Sequence, residues 1–247
     1  KFADALMEMK SIQTFSGNYP GGGIRGSIVS TVYLIVITLL IATPLGIVVA
    51  VYLNEFMKES KLKRIISSFI EMLSGIPSVV YGLFGLVFFV PFTMKIGNTN
   101  SGNLLAGALV LSVMLLPIII KTTEESLKVV PEDLRLVSLG LGASKVQTIL
   151  KVVLPSSIRG ITSAVLLGIA RIIGESAALI YVVGTVIKDQ ISVFGSSTTL
   201  SVHIWSIMGG ETPNLSVASA ISLIILVLVL LFSFTVKILL KQRRIQG

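Results

Sequence analysis

Val32-Tyr-Leu-Ile-Val-Ile-Thr-Leu-Leu-Ile-Ala-Thr-Pro-Leu-Gly-Ile-Val-Val-Ala-Val-Tyr52 contains no Asp, Glu, Lys or Arg, and the run without those residues extends from Arg25 to Glu55. A helix needs about 20 consecutive apolar residues to cross a bilayer, so this stretch reads as a membrane span. Comparable runs lie between Glu71 and Lys95, between Lys95 and Lys121, and between Glu211 and Lys237. Leu104 to Ile120, within the third, is near the short limit for a span. A fifth span, from about Ser157 to Val183, forms if Arg171 and Glu175 are tolerated inside it. The chain is 53% hydrophobic and 13% charged, with a mean hydropathy of +0.93, whereas a soluble chain carries about 25% charged residues. The expected fold is an all-α integral membrane protein with five transmembrane helices.

Loop charges orient the spans. Lys58, Lys61, Lys63 and Arg64 follow the first, six basic residues lie between Lys121 and Arg159, and four more lie between Lys237 and Arg244. The opposite side holds Lys1, Lys10, Arg25, Lys95 and Lys188. By the positive-inside rule the N-terminus is external and the C-terminus cytoplasmic. The net charge of +8 then reflects topology and does not require a nucleic acid or anionic ligand. Residues 1–23, ending in Pro20-Gly-Gly-Gly23, read as an external linker, and residues 24–247 as a single transmembrane domain. An odd number of helices with an external N-terminus leads to the expectation of a sixth helix upstream. The chain has no Cys, which excludes disulfides and thiolate chemistry, and a single His, His203, which suits a loop or interface better than a metal site.

Two features carry chemistry. Arg171 and Glu175 are four apart in Gly168-Ile-Ala-Arg-Ile-Ile-Gly-Glu-Ser-Ala-Ala-Leu179, a spacing that puts them one turn apart on one face of a helix. An Arg at mid-bilayer costs roughly 2.5–3.5 kcal/mol on insertion scales, so it faces a bundle interior, a partner charge or a watery path. The pair is either an ion pair that lets two charges survive or part of such a path. The second feature is the cytoplasmic loop 121–159, long for a membrane bundle. Thr122 to Val130 suits a short helix, Pro131 punctuates, and Glu132 and Asp133 suit the first turn of another. Gly140 and Gly142 permit a turn, after which Val146, Ile149, Leu150 and Val153 recur at helical spacing before Pro155. Such short amphipathic helices form a docking element or rest on lipid headgroups.

Gly142, nine residues, then Val152-Val-Leu-Pro155 resembles the signature of ABC-importer permeases, which reads Glu-Ala-Ala, three residues, Gly, nine residues, Ile, any residue, Leu-Pro. Leu136, Val137 and Ser138 occupy the Glu-Ala-Ala positions, a departure that removes any contact the family's Glu would make. Leu73-Ser-Gly-Ile-Pro-Ser-Val-Val-Tyr-Gly-Leu-Phe84 and the Arg171 segment resemble motifs of phosphate-specific permeases. Gly21-Gly-Gly-Ile24, Thr43-Pro-Leu-Gly46 and Ile120-Lys-Thr-Thr-Glu124 favour the A-type (PstA-like) of the two paralogous subunits.

The resemblance, from Gly21 to Arg244, implies a type I ABC-importer permease bundle in a cell membrane, with six helices in the full chain. It also implies import of inorganic phosphate by alternating access. The partners implied are a pair of ATPase subunits, a second paralogous permease and an extracytoplasmic phosphate-binding protein. No phosphate loop of the Gly-x-x-x-x-Gly-Lys-Ser/Thr type occurs here, so the chain needs no cofactor of its own, and ATP with Mg belongs to the ATPase pair. Gly142, Ala143, Ser144 and Lys145, with Leu154 and Pro155 behind them, are the expected coupling residues.

For the path, Arg suits an anion that must shed water, and Glu175 would hold Arg171 and moderate its grip. Lys121 stands where the family more often has Arg, and serves the path or only anchors the span. Pro77, beside Ser78 and taken as mid-helix, either lines the path or makes a structural kink. Pro44 and Pro117 are read as structural, and Glu71, just inside the cytoplasmic boundary of the second span, as able to pair with a basic residue there but with no assigned function. The segment Lys188 to Pro213, with Trp205 at the interface, is where a binding protein would dock. Another oxyanion, sulfate or molybdate, is the nearest alternative cargo. A secondary transporter using Arg171 and Glu175 for ion coupling is more distant, because it predicts a repeat of the charged helix that the sequence lacks.

Overall fold

The computed structural model describes residues 24–187, 191–209 and 213–242, with side chains as far as 234. The linker read over residues 1–23, Lys188 and the side chains of the C-terminal tail lie outside these described residues. Every regular element among the described residues is helical: α1 (Ile24–Val51), α2 (Lys61–Ser74), α3 (Ser78–Gly97), α4 (Leu104–Lys128), α5 (Glu132–Gly140), α6 (Lys145–Thr148), α7 (Leu154–Gly174), α8 (Ala177–Val182), α9 (Leu200–Met208) and α10 (Leu215–Gln242). A π-turn, Tyr52–Phe56, closes α1, and another, Ile149–Val153, joins α6 to α7. Five stretches are long and apolar enough to cross a membrane: Ile24–Phe56, Ser78–Gly97, Leu104–Lys128, Lys145–Gly174 and Leu215–Phe234. The number agrees with the sequence reading, while several boundaries differ.

The second span begins at Ser78, not near Glu71. Pro77 sits outside the helix with φ −59° and ψ 141°. A proline disfavours helical backbone in the residue before it, so Gly75-Ile-Pro77 separates α2 from α3 instead of kinking one long helix. The third span absorbs the expected short helix Thr122–Val130 and runs on to Lys128. At its start Asn103 Oδ1 accepts the Ala106 N–H at 2.9 Å, an N-cap.

The fourth span is shifted towards the N-terminus, to Lys145–Gly174, and Pro155 lies within it. Proline has no N–H to offer the carbonyl four residues back. The helix meets this by widening just before it, where Leu154 N–H bonds Ile149 O, five residues back.

The chain packs as two units, the first from residues up to Thr38, Ile76–Ser112 and Ile169–Phe234, the second from Leu39–Gly75, Val113–Gly168 and the chain from Thr235. Helices α1, α4, α7 and α10 contribute residues to both. In the second unit Ala50, Leu53, Ile120, Leu127, Val130 and Val153 form a core, against which Ile66 and Ile70 of α2 pack. In the first unit α8 lies against α3 at Gly82 and Gly85, and Leu200, Val217, Ala220 and Ile221 make a second cluster.

The α3–α8 approach depends on a missing side chain. A Cβ on Gly82 would stand 2.8 Å from both Cα and O of Ala178, and backbone cannot retreat as a side-chain tip can. Gly75 meets only Met72 O, at an ordinary 3.5 Å. Gly82→Val should therefore lower the thermal stability of the detergent-solubilised protein by about 1–3 kcal/mol or prevent accumulation, while Gly75→Ala stays near wild type. Equal melting of the two variants would refute the close-contact reading.

Candidate functional site

In the first unit Arg171 occupies the last turn of α7 with its side chain exposed. A cation there is favoured by the negative end of the helix dipole. The helix stops at Gly174, and Glu175 follows outside it, with its N–H on Ile172 O at 3.2 Å. Glu175 is buried; its Oε1 accepts the Ala178 N–H at 3.2 Å and its carbonyl accepts the Ser201 hydroxyl at 2.6 Å. Among the described residues no ion pair within 4.0 Å joins Arg171 to Glu175. The one-turn pairing is thereby corrected. It required a continuous helix, and the break after Gly174 turns the carboxylate to capping the start of α8 instead. Pro77 and Ser78 lie in the same unit at the head of α3, Pro77 exposed and Ser78 half-buried.

Sequence reasoning missed a buried hydroxyl seam in this unit. Ser27 Oγ lies 2.8 Å from His203 Nδ1, Ser30 Oγ lies 2.5 Å from Ser197 Oγ, and Thr31 Oγ1 accepts the Leu200 N–H at 3.1 Å. These bonds tie α1 to the segment Ser197–His203, and Thr199 caps α9. The signal was the run Ser196-Ser-Thr-Thr-Leu-Ser201 in an apolar context. His203 is buried in α9 and not in a loop, and burial lowers its pKa to about 4, so the imidazole is neutral near pH 7. Trp205 on the same helix is exposed.

In the second unit Lys121 Nζ meets Glu71 Oε1 at 2.9 Å, with side-chain exposures of 40% and 61%. Glu71 thus does pair with a basic residue, as its position allows, and that residue is the lysine expected to face the anion. The two are 50 positions apart, beyond any local pattern.

The loop 121–159 forms a compact turn of helices. Pro131 precedes α5, Gly142 has φ +86°, and its N–H bonds Leu139 O at 3.0 Å. Ser144 and Gln147 make a reciprocal capping box at α6. Ser138 Oγ on α5 lies 2.9 Å from Thr148 Oγ1, and Lys145 Nζ stands 5.1 Å from the centroid of the Phe56 ring. Gly142, Ser144 and Lys145 are exposed and Ala143 half-buried, beside exposed Leu136, Val137, Leu141 and Val146. Leu154 instead packs on the core of this unit, and Pro155 opens α7. The six coupling candidates therefore divide into four on the turn and two inside the span behind it.

The family model described as binding-protein-dependent transport system inner membrane component matches residues 42–245. The chain is 34% identical over 232 residues to the probable ABC transporter permease protein YqgI of Bacillus subtilis, covering 88% of this chain and 77% of that protein. It is 34% identical over 186 residues to the phosphate transport system permease protein PstA 1 of Mycobacterium tuberculosis (strain H37Rv), covering 75% of this chain and 58% of that one. The inward-facing MetNI methionine ABC transporter superposes with a TM-score of 0.67 at 24% identity, over 89% of this chain and 94% of that one. The chain belongs to the family of binding-protein-dependent transport system inner membrane components. It is a membrane-embedded PstA-like permease with the type I ABC-importer fold.

The capping role of Glu175 makes a prediction opposite to that of an ion pair. Glu175→Gln keeps a carbonyl oxygen for the Ala178 N–H and should leave complex abundance and melting unchanged. Glu175→Ala removes it, at about 1 kcal/mol. A large loss with Gln, cured by Arg171→Gln, would restore the ion-pair reading.

Proposed function

We propose that this permease carries inorganic phosphate inward by alternating access, with its C-terminus in the cytoplasm. It works beside a second, paralogous permease, takes its anion from an extracytoplasmic phosphate-binding protein, and is driven by a separate pair of ATPase subunits that hold ATP and Mg. The observation that carries the cargo is Arg171, exposed near the end of an apolar helix and in no ion pair among the described residues. Phosphate must lose hydration to cross, and a guanidinium replaces that water with several fixed donors. The phosphate-transport names of several relatives support the same cargo.

In this reading Arg171 is the principal contact of the anion, and Pro77 and Ser78 line the path near it. Glu175 shapes the break that ends α7. Lys121 is a weaker contact, because Glu71 already holds its ammonium. The turn Gly142-Ala-Ser-Lys145 seats the ATPase, with Leu136, Val137, Leu141 and Val146 as the apolar surface it covers, and Leu154 and Pro155 connect the turn to the span. An apolar seat suits the departure from Glu-Ala-Ala: without the family's acidic residue, the contact rests on burial of side chains instead of a charge.

Arg171→Gln in the reconstituted importer should lower radiolabelled phosphate uptake by about ten- to a hundred-fold, the loss expected for charge-assisted hydrogen bonds. Complex abundance should not change, and Arg171→Lys should recover a part. Uptake by Arg171→Gln equal to wild type removes Arg171 from the path. Wild-type vesicles that take up sulfate or molybdate and not phosphate overturn the cargo.

The turn has its own test. A side chain at φ +86° is strained by roughly 1–2 kcal/mol, and Gly140, with open space and no positive φ, is a matched control. Gly142→Val should reduce co-purification of the ATPase while the chain still inserts, and Gly140→Ala should not. Full ATPase recovery with Gly142→Val would refute the seat.

A further inference from the structure

Arg135 lies on α5, inside the loop taken above as the ATPase seat, and was counted in the sequence only as one of its positive charges. Its guanidinium is mostly enclosed. Nη1 donates to Val130 O at 2.6 Å, while Nη2 donates to Leu127 O at 2.9 Å and meets Glu55 Oε1 at 3.0 Å. Side-chain exposures are 20% for Arg135 and 9% for Glu55. Leu127 and Val130 belong to the end of α4 and the bend after it, where helix carbonyls lack partners and a cation is favoured. Glu55 lies in the π-turn that closes α1, where Asn54 Nδ2 also donates to it at 2.9 Å. One planar fork therefore joins α5 to the ends of two spans.

From α5 a second polar contact, Ser138 with Thr148, leads through α6 and the π-turn into α7. Among the described residues the polar side-chain bonds that leave α5 run through Arg135 and Ser138. The apolar core of the same unit collects Leu53, Leu127, Val130 and Val153 from these ends. Leu136 and Val137 of α5 stay exposed, so the face that a partner would cover is separate from the bonds that hold the helix. A push on α5 reaches α1 and α4 through a short, buried and directional connection. A lysine could not replace it, because a point charge on a flexible stem cannot hold two carbonyls and a carboxylate in fixed directions.

We propose that Arg135, braced by Glu55, is the positioning residue that passes movement of the docking loop to the ends of α1 and α4, so that ATP hydrolysis and transport stay coupled. The proposal rests on the loop being the ATPase seat and is independent of which oxyanion is carried. Loss of Arg135 leaves the exposed docking surface in place and removes the link behind it. Its signature is a complex that hydrolyses ATP without moving cargo.

The test uses the whole importer, with ATPase pair, paralogous permease and binding protein, in proteoliposomes. It reads retained ATPase, basal and binding-protein-stimulated hydrolysis, and oxyanion transported per ATP for whichever oxyanion the wild type carries. Arg135→Gln should keep the ATPase bound and hydrolysis at its basal rate, while transport per ATP falls by about ten-fold, the size of a common coupling between sites. Arg135→Lys should recover only part of it, and Glu55→Gln, which leaves both carbonyl bonds, should show a smaller fall in the same direction. A wild-type transport ratio in Arg135→Gln overturns the proposal. If that variant does not assemble, Glu55→Gln decides: a lowered ratio with ATPase retained supports the link, and a wild-type ratio overturns it. A wild type that carries sulfate alone defeats the phosphate assignment and leaves this comparison intact.

Discussion

Within hydrocarbon no water is present to satisfy a peptide group, so each N–H and C=O must find its partner inside the chain. That constraint shapes the departures from regular helix as much as the helices. At the break after α7, Glu175 caps the next helix from its side chain and accepts Ser201 at its carbonyl. Before Pro155 the helix widens to a π-turn instead of breaking. Hydroxyls follow the same rule: Ser112, Ser126, Thr162, Ser163 and Ser222 each donate to the carbonyl four residues back, so a polar residue can sit in an apolar span at small cost.

This constraint explains which parts of the fold were legible in the sequence. The number of spans follows from runs without charge, because one Lys or Glu inside a span is costly and is visible residue by residue. The turn in the loop 121–159 was legible in part: Pro131 and Gly142 act over a few residues, within reach of a local reading. The breaks were misplaced because hydropathy does not register them. Pro77 was seen, but a kink and a full break have the same composition, and only backbone angles at Gly75-Ile-Pro77 separate them. The Arg171–Glu175 pairing assumed that helical spacing continues through Gly174. The glycine was the available warning.

Which residues pair over long range was not legible, although a basic partner for Glu71 was. Glu71 with Lys121, Glu55 with Arg135 and Ser27 with His203 are 50, 80 and 176 positions apart, and no periodicity links them. Their effect is to sort the basic residues into different physical states. Arg135 is mostly enclosed and engaged by two carbonyls and a carboxylate arranged around its fork. Lys121 is paired but open to its surroundings. Arg171 is exposed at the end of its helix, with no ion pair among the described residues.

An anion passing through a transporter must be held firmly enough to replace part of its water and loosely enough to leave. A cation already engaged by several fixed acceptors gains little from another anion and would lose its structural bonds in meeting it, so Arg135 has no part in the proposed path. A lysine beside a carboxylate offers a reduced field, and an approaching anion must compete with Glu71 for the same ammonium. Arg171 has neither restraint. Its charge is stabilised by the C-terminal dipole of α7, a partial charge that favours the cation without occupying its donors. The break after Gly174 preserves this state: with one continuous helix, Glu175 would have lain a turn away and the guanidinium would have had a permanent partner. Turning Glu175 to the cap of α8 leaves Arg171 without that carboxylate as a partner, which is what the proposed weak and reversible contact with a moving anion requires.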